Sequence, residues 1–107
     1  MEIRNAKIES TFLGFEDHGI FTYFLHLEWE HAGQGFGGYI LGGGYGDETI
    51  KAILETVGVD KWEDLPGKYV RIEHEHIKVH RIGNIIEDKW FSPAELSKKF
   101  EKKKSLT

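Results

Sequence analysis

The chain has 107 residues, long enough for one domain with a real core and too short for two. It carries a net charge of −4, no cysteine, 39% hydrophobic and 13% aromatic residues. These values exclude a disulfide framework, a thiolate metal site and tight non-specific duplex binding, which needs a basic face. No stretch approaches the roughly 20 apolar residues of a membrane span, and no signal-peptide pattern opens the chain. The expectation is therefore a cytoplasmic protein with no membrane partner, and one domain over 1–107.

Residues Ile3 to Phe15 read as a first strand, with Ala6, Ile8 and Phe12 at even spacing on one face. Glu16-Asp17-His18-Gly19 is a turn in which Gly19 supplies the left-handed position. Ile20 to Trp29 is the clearest strand, with Phe21, Tyr23, Leu25, Leu27 and Trp29 on one face and Thr22, His26 and Glu28 on the other. After Glu30-His31-Ala32-Gly33 a third strand, Gln34 to Leu41, completes an antiparallel meander.

That third strand opens the most unusual stretch. Gly33 to Glu48 holds eight of the 13 glycines, with Phe36, Tyr39 and Tyr45 between them, ahead of a helix signal. Glycine is costly in a regular strand, so such a run marks a sharply bent backbone or one that another molecule approaches closely. A glycine loop running into a helix N-terminus at Asp47-Glu48-Thr49 is also a geometry that cradles phosphates. The run lacks the Lys-Ser or Lys-Thr pair of a phosphate-binding P-loop and the acidic partner of a dinucleotide fingerprint. Asp47 and Glu48 would repel an anion. A bent strand followed by a loop is the plainer reading of the same residues.

Thr49 to Val57 places Ile50, Ile53, Leu54 and Val57 at helical spacing, with Gly58 as the stop. Asp60 is placed to cap a short turn through Trp62 and Leu65, ended by Pro66-Gly67. Lys68 to His74 is a strand with Val70 and Ile72 on one face and Tyr69, Arg71 and Glu73 on the other; Ile77 to Ile86 is its hairpin partner or its kinked continuation. Ser92-Pro93-Ala94-Glu95 combines a cap, a first-turn proline and a capping-box glutamate. The helix it starts docks through Leu96 and Phe100, turns basic at Lys98, Lys99 and Lys102 to Lys104, and ends in a frayed tail over 101–107. The fold class is α+β: an antiparallel sheet of about five strands (a meander, a helix, then a C-terminal hairpin) with a C-terminal helix.

Two chemistries compete with a binding role. His74, His76 and His80 would share a face on one straight strand and hold a metal ion with an open position, whereas a turn after His76 would break the set. Glu28 and Glu30 are a carboxylate pair with the right chemistry for proton transfer, but a solvated strand edge accounts for them. Trp62 and Trp90 read as aromatic plugs at element ends, and no serine sits in a nucleophile elbow.

Several segments together resemble a family of small, largely uncharacterised proteins encoded by bacteriophages and prophages. They are Ile3-Arg4-Asn5-Ala6-Lys7-Ile8, the Gly33 to Leu41 run, Val57 to Arg71, Ile82-Gly83-Asn84-Ile85-Ile86 and Asp88-Lys89-Trp90-Phe91-Ser92-Pro93. Family members often carry a longer loop where this chain has Gly42 to Gly46, and a glycine-containing turn where it has Glu75-His76. The resemblance implies a phage origin, hence the host cytoplasm, and transfers no catalytic residue.

The reading is a non-enzymatic phage-type binding protein that needs no cofactor. It would antagonise a host defence system by binding a host protein or by sequestering a nucleotide-like small molecule. The ligand-binding residues would be Phe36, Gly37, Gly38, Tyr39, Gly42, Gly43, Gly44 and Tyr45, together with Arg71 and Arg81, the aromatics stacking on a base and the glycine backbone and helix N–H groups meeting phosphates. The alternatives are a metal-dependent hydrolase using His74, His76 and His80, and an accessory module of phage DNA metabolism. An aromatic-rich sheet with a single helical layer also leaves a face on which a homo-oligomer can form.

Overall fold

A computed structural model describes residues 1–76 and 78–105. The elements run β1 (Glu2–Phe15), β2 (Phe21–Trp29), β3 (Ala32–Ile40), α1 (Gly46–Val57), a 3₁₀ turn (Trp62–Asp64), β4 (Tyr69–Glu75), β5 (Lys78–Gly83), β6 (Trp90–Phe91) and α2 (Pro93–Ser105). The fold is α+β, with one antiparallel sheet in the order β3-β2-β1-β4-β5-β6. It has one strand more than the sequence implied, because β6 is only two residues long and has no room to show an alternation. Among the described residues no helix is long and apolar enough to cross a membrane.

β1 is the axis of the sheet. Its Lys7–Phe15 half pairs with β2, and its Glu2–Lys7 half pairs with β4. The register against β2 shifts between Ile8 and Ser10, so Glu9 is an extra residue. Side chains alternate with period 2, and one inserted residue therefore moves every later side chain to the opposite face. Ala6 and Ile8 point into the core, but Phe12 lies opposite Phe24 and stays 40% exposed. The expected Ala6–Ile8–Phe12 face is corrected on this point: the bulge puts Phe12 outside.

The sheet curls until its two edges meet. β3 and β6 lie at opposite ends of the strand order, yet the rings of Phe36 and Phe91 touch edge-on with centroids 6.1 Å apart. Inside the curl sit Ala6, Ile8, Tyr23, Leu25, Leu27, Val70, Ile72, Val79 and Ile82 from the strands, closed by Leu41, Ile53 and Leu65. Burying each large aliphatic side chain is worth about 1.5–3 kcal/mol, which makes this contiguous cluster the main source of stability. Trp29, at the far end of the β2 face, is half-buried, while Phe21 at the near end is 41% exposed.

The turns follow the sequence in most places. In the β1–β2 turn Gly19 has φ +79°, and the Glu16 carboxylate accepts the backbone N–H of His18 at 2.7 Å and of Ile20 at 3.1 Å. Those bonds, that from Ile20 foremost, hold the Glu16 carboxyl below the usual carboxylate range. α1 presents Ile53, Thr49 and Thr56 to the core and ends at Gly58, whose φ of +90° lets its N–H reach the Leu54 carbonyl at 2.8 Å. It begins one residue earlier than Asp47, and among the described residues no side chain caps it; both the N–H and the hydroxyl of Thr49 donate to the Tyr45 carbonyl. The short turn after it likewise forms without a side-chain cap from Asp60, since Lys61 occupies the cap position.

β4 and β5 form a hairpin, not one kinked strand. Glu75 pairs with Lys78, and His76 takes the left-handed conformation at φ +52°. Ile77, the expected start of β5, lies outside the described residues. At α2, the Ser92 hydroxyl accepts the Glu95 N–H at 3.2 Å, as the capping sequence requires. The segment expected as a tail over 101–107 is helical to Ser105; the side chains of Lys102 to Lys104, and residues 106 and 107, lie outside the described set.

Candidate functional site

The glycine run divides in two. In its first half a second bulge falls in the β2–β3 ladder: Phe24 pairs with Gly37 but Thr22 with Ile40, leaving one residue extra on β3. Gly37 and Gly38 absorb it at φ +122° and +83°, conformations that side chains rarely adopt. A Cβ on Gly37 would meet the Tyr23 carbonyl oxygen at 2.5 Å and the Tyr23 ring at 2.8 Å; one on Gly38 would meet the Phe24 ring at 3.0 Å. The molecule approaching the bare backbone here is the protein itself. Phe36 is likewise corrected as a ligand contact: it is 2% exposed and packs on Phe91 in the core.

The bulge re-aims the end of β3. Beyond it Tyr39 is 48% exposed, and its carbonyl accepts the Thr22 hydroxyl at 2.7 Å. The chain then dips through buried Leu41 and rises over Gly42, Gly43 and Gly44, all exposed, to Tyr45. Tyr45 stacks on Phe100 of α2, ring centroids 4.8 Å apart and planes within 15°. This stack ties the loop to the C-terminal helix.

Between the end of β3, the start of α1 and α2 lies a recess of about 110 Å³. Tyr23, Tyr39 and Tyr45 form its aromatic wall, Leu41, Phe91 and Leu96 its apolar floor, and Thr49 and Ser97 bring hydroxyl groups to its lining. Tyr23 is fully buried, and its hydroxyl has no hydrogen-bond partner among the described residues. Burial, with the neighbouring Tyr39 adding to it, pushes the Tyr23 phenol well above its ordinary pKa, so it remains a neutral donor. An unmet buried hydroxyl costs about 1–3 kcal/mol, and a buried polar atom in that state is uncommon in folded proteins.

Of the residues expected to bind ligand, Tyr39 and Tyr45 line this recess, and Gly42 and Gly44 line a shallower apolar groove beside it with Leu13, Phe21 and Ile50. Arg71 and Arg81 line neither. Both guanidiniums lie over the Trp90 ring, 4.7 and 4.2 Å from its centroid. Arg71 donates to the carbonyls of Asn84 and Glu87, and Arg81 donates twice to the Glu73 carboxylate, at 3.1 and 2.9 Å. Gly83 makes room for this arrangement, since a Cβ there would meet Trp90 at 2.6 Å.

Asn84 completes the latch. Its amide donates to the Thr56 carbonyl at the end of α1, and its side-chain oxygen accepts the N–H of Ile86 and Glu87. The Ile82–Ile86 and Asp88–Pro93 segments are thus accounted for as the device that fastens the β5–β6 loop to α1.

The histidines do not converge. His74 packs against Trp29, centroids 5.2 Å apart; neither ring nitrogen has a hydrogen-bond partner among the described residues, and Nε2 is 3.7 Å from a Glu2 carboxylate oxygen. His80 sits 3.5 Å from Glu75, and His76 occupies the hairpin turn. Among the described residues no three His, Cys, Asp or Glu side chains are grouped to hold a metal ion. Glu30 sits in the β2–β3 turn at φ +51° and pairs with Arg4 at 2.8 Å.

Tyr23 is the site residue that sequence reasoning missed. It was placed on the inward face of β2 as one more core residue, and a phenol among leucines on that face is the only signal of a polar tip needing a partner. No family model matches this chain, and neither a curated protein nor a solved structure does.

Proposed function

We propose that this chain is a non-enzymatic binding protein that takes a small planar molecule into the tyrosine-walled recess. The observation that carries the reading is the buried, unpartnered Tyr23 hydroxyl at an aromatic cavity. The hydroxyl has no exposed surface, so a ligand bonds it by parting the side chains that cover it, and the acceptor it then offers satisfies a buried donor.

Size narrows the class. An apolar cavity of about 150 Å³ holds a benzene ring. The recess, at about 110 Å³, is smaller than that, so it takes no more than one six-membered ring, with every substituent left outside. A pyrimidine base meets both demands, through its flat face and its carbonyl acceptors. Charge narrows the class again: Asp47 and Glu48 lie in the first turn of α1, while Arg71 and Arg81 are committed elsewhere. The nucleotide-like ligand is thus a base or nucleoside before a phosphorylated form. The resemblance to bacteriophage proteins supplies the setting, in which sequestering such a molecule would antagonise a host defence.

Calorimetric titration with bases, nucleosides and their 5′-phosphates tests this. A pyrimidine or its nucleoside should release heat, its phosphate should bind more weakly, and Tyr23→Phe should weaken binding about tenfold without lowering the melting temperature. Silence across the whole panel, or a Tyr23→Phe protein that binds like the parent, would remove the proposal.

A further inference from the structure

The second half of β1 has a partner on one side only. Beyond Lys7 the pairing with β4 stops, and the last backbone bonds on that side join Ile8 to Lys68 and Gly67. From Ser10 to Phe15 the strand is paired with β2 alone, among the described residues. Natural sheets protect such an edge with lysine, proline or inward charge. Ser10-Thr11-Phe12-Leu13-Gly14-Phe15 has none of these, and Phe12, Leu13 and Phe15 are 40%, 40% and 72% exposed.

The charges at the two ends of this segment are opposite. Lys68, exposed, sits at the Ile8 end, while exposed Asp17 follows the Phe15 end. From this we infer that the edge pairs with the same edge of a second copy, antiparallel about a two-fold axis, to give a continuous sheet through the dimer. A two-fold axis perpendicular to the sheet keeps each face continuous, so a residue can sit opposite only residues on its own face. Centring the pair on Phe12 sets Ser10 opposite Gly14 and brings Lys68 of each copy to the acidic end of the other. Centring it on Leu13 would set Glu9 opposite Asp17, a like-charge contact. The Phe12 register is therefore the favoured one, with the two Phe12 rings adjacent at the axis and the neighbouring Phe24 rings extending the apolar surface.

Sedimentation velocity over a range of protein concentrations, at low and high salt, tests the inference. The parent chain should dimerise, more weakly as salt rises. Phe12→Lys should be monomeric, because it places two ammonium groups together at the axis. Lys68→Glu, a change at an exposed position, should weaken dimerisation about tenfold, and the Lys68→Glu, Asp17→Lys double variant should restore it. Circular dichroism melts establish that each variant is folded; should Phe12→Lys fail to fold, the Lys68 pair decides alone. A parent chain that remains monomeric at the highest concentration overturns the inference, and so does a dimer that none of these substitutions disturbs.

Discussion

The two halves of the glycine run look alike in sequence and differ in what surrounds them. At Gly37 and Gly38 the missing side chains leave space that Tyr23 and Phe24 fill to van der Waals contact or closer. At Gly44 nothing lies within 4 Å of where a Cβ would stand, and at Gly42 and Gly43 only single atoms lie 3.9 and 3.8 Å away. The first pair is there so that two strands can cross closely at a bulge; Gly42 to Gly44 only carry the chain over a surface, and Gly46, where α1 begins, is bare because a Cβ there would run into the Leu41 carbonyl oxygen. Glycine density alone is therefore no sign of a ligand. The candidate site lies between the two halves, and a tyrosine from the neighbouring strand defines it.

Alanine substitutions separate the halves. Among Gly37, Gly43 and Gly44 the largest effect belongs to Gly37→Ala, which meets backbone as well as ring atoms at a positive φ; a loss of about 3 kcal/mol is expected in denaturant unfolding. A loss below about 1 kcal/mol would mean that the bulge relaxes freely and that the close crossing is not a constraint. Gly44→Ala has open space but a φ of +97°, so only backbone strain opposes it, at about 1 kcal/mol. Gly43→Ala should fall within about 0.5 kcal/mol of the parent, since its φ is ordinary and its nearest contact is at 3.8 Å. If Gly43→Ala instead matched Gly37→Ala in unfolding, the contrast between the halves would collapse.

Much of the architecture was readable from the residues. The alternation of β2, the Gly19 turn, the helical spacing that ends at Gly58 and the Ser92–Glu95 box all report local preferences that the tertiary structure leaves in place. What escaped detection depends on pairing between distant segments. Glu9 is an ordinary strand residue, and nothing local marks it as a bulge; only the registers with β2 and β4 make it one. Arg71 and Arg81 looked like free cations because the ring that holds them, Trp90, arrives from a two-residue strand late in the chain. The histidines shared a face only on the assumption of a straight strand, and a left-handed His76 removed it. The recess is legible in part: Tyr39 and Tyr45 stood out between glycines, whereas the unmet hydroxyl of Tyr23 arises from a closure that no single segment encodes.

The length of β1 governs how this molecule is made. Its C-terminal half finds β2 and then β3 through two tight turns, contacts that form early and locally. Its N-terminal half must wait while the chain continues from Lys7 to Tyr69, because only then does β4 exist to receive it. During synthesis this half of β1 leaves the ribosome well before its partner, and Ile3 and Ala6 remain open to other chains until β4 arrives. Chaperone dependence, or aggregation at high expression, would originate at that waiting edge.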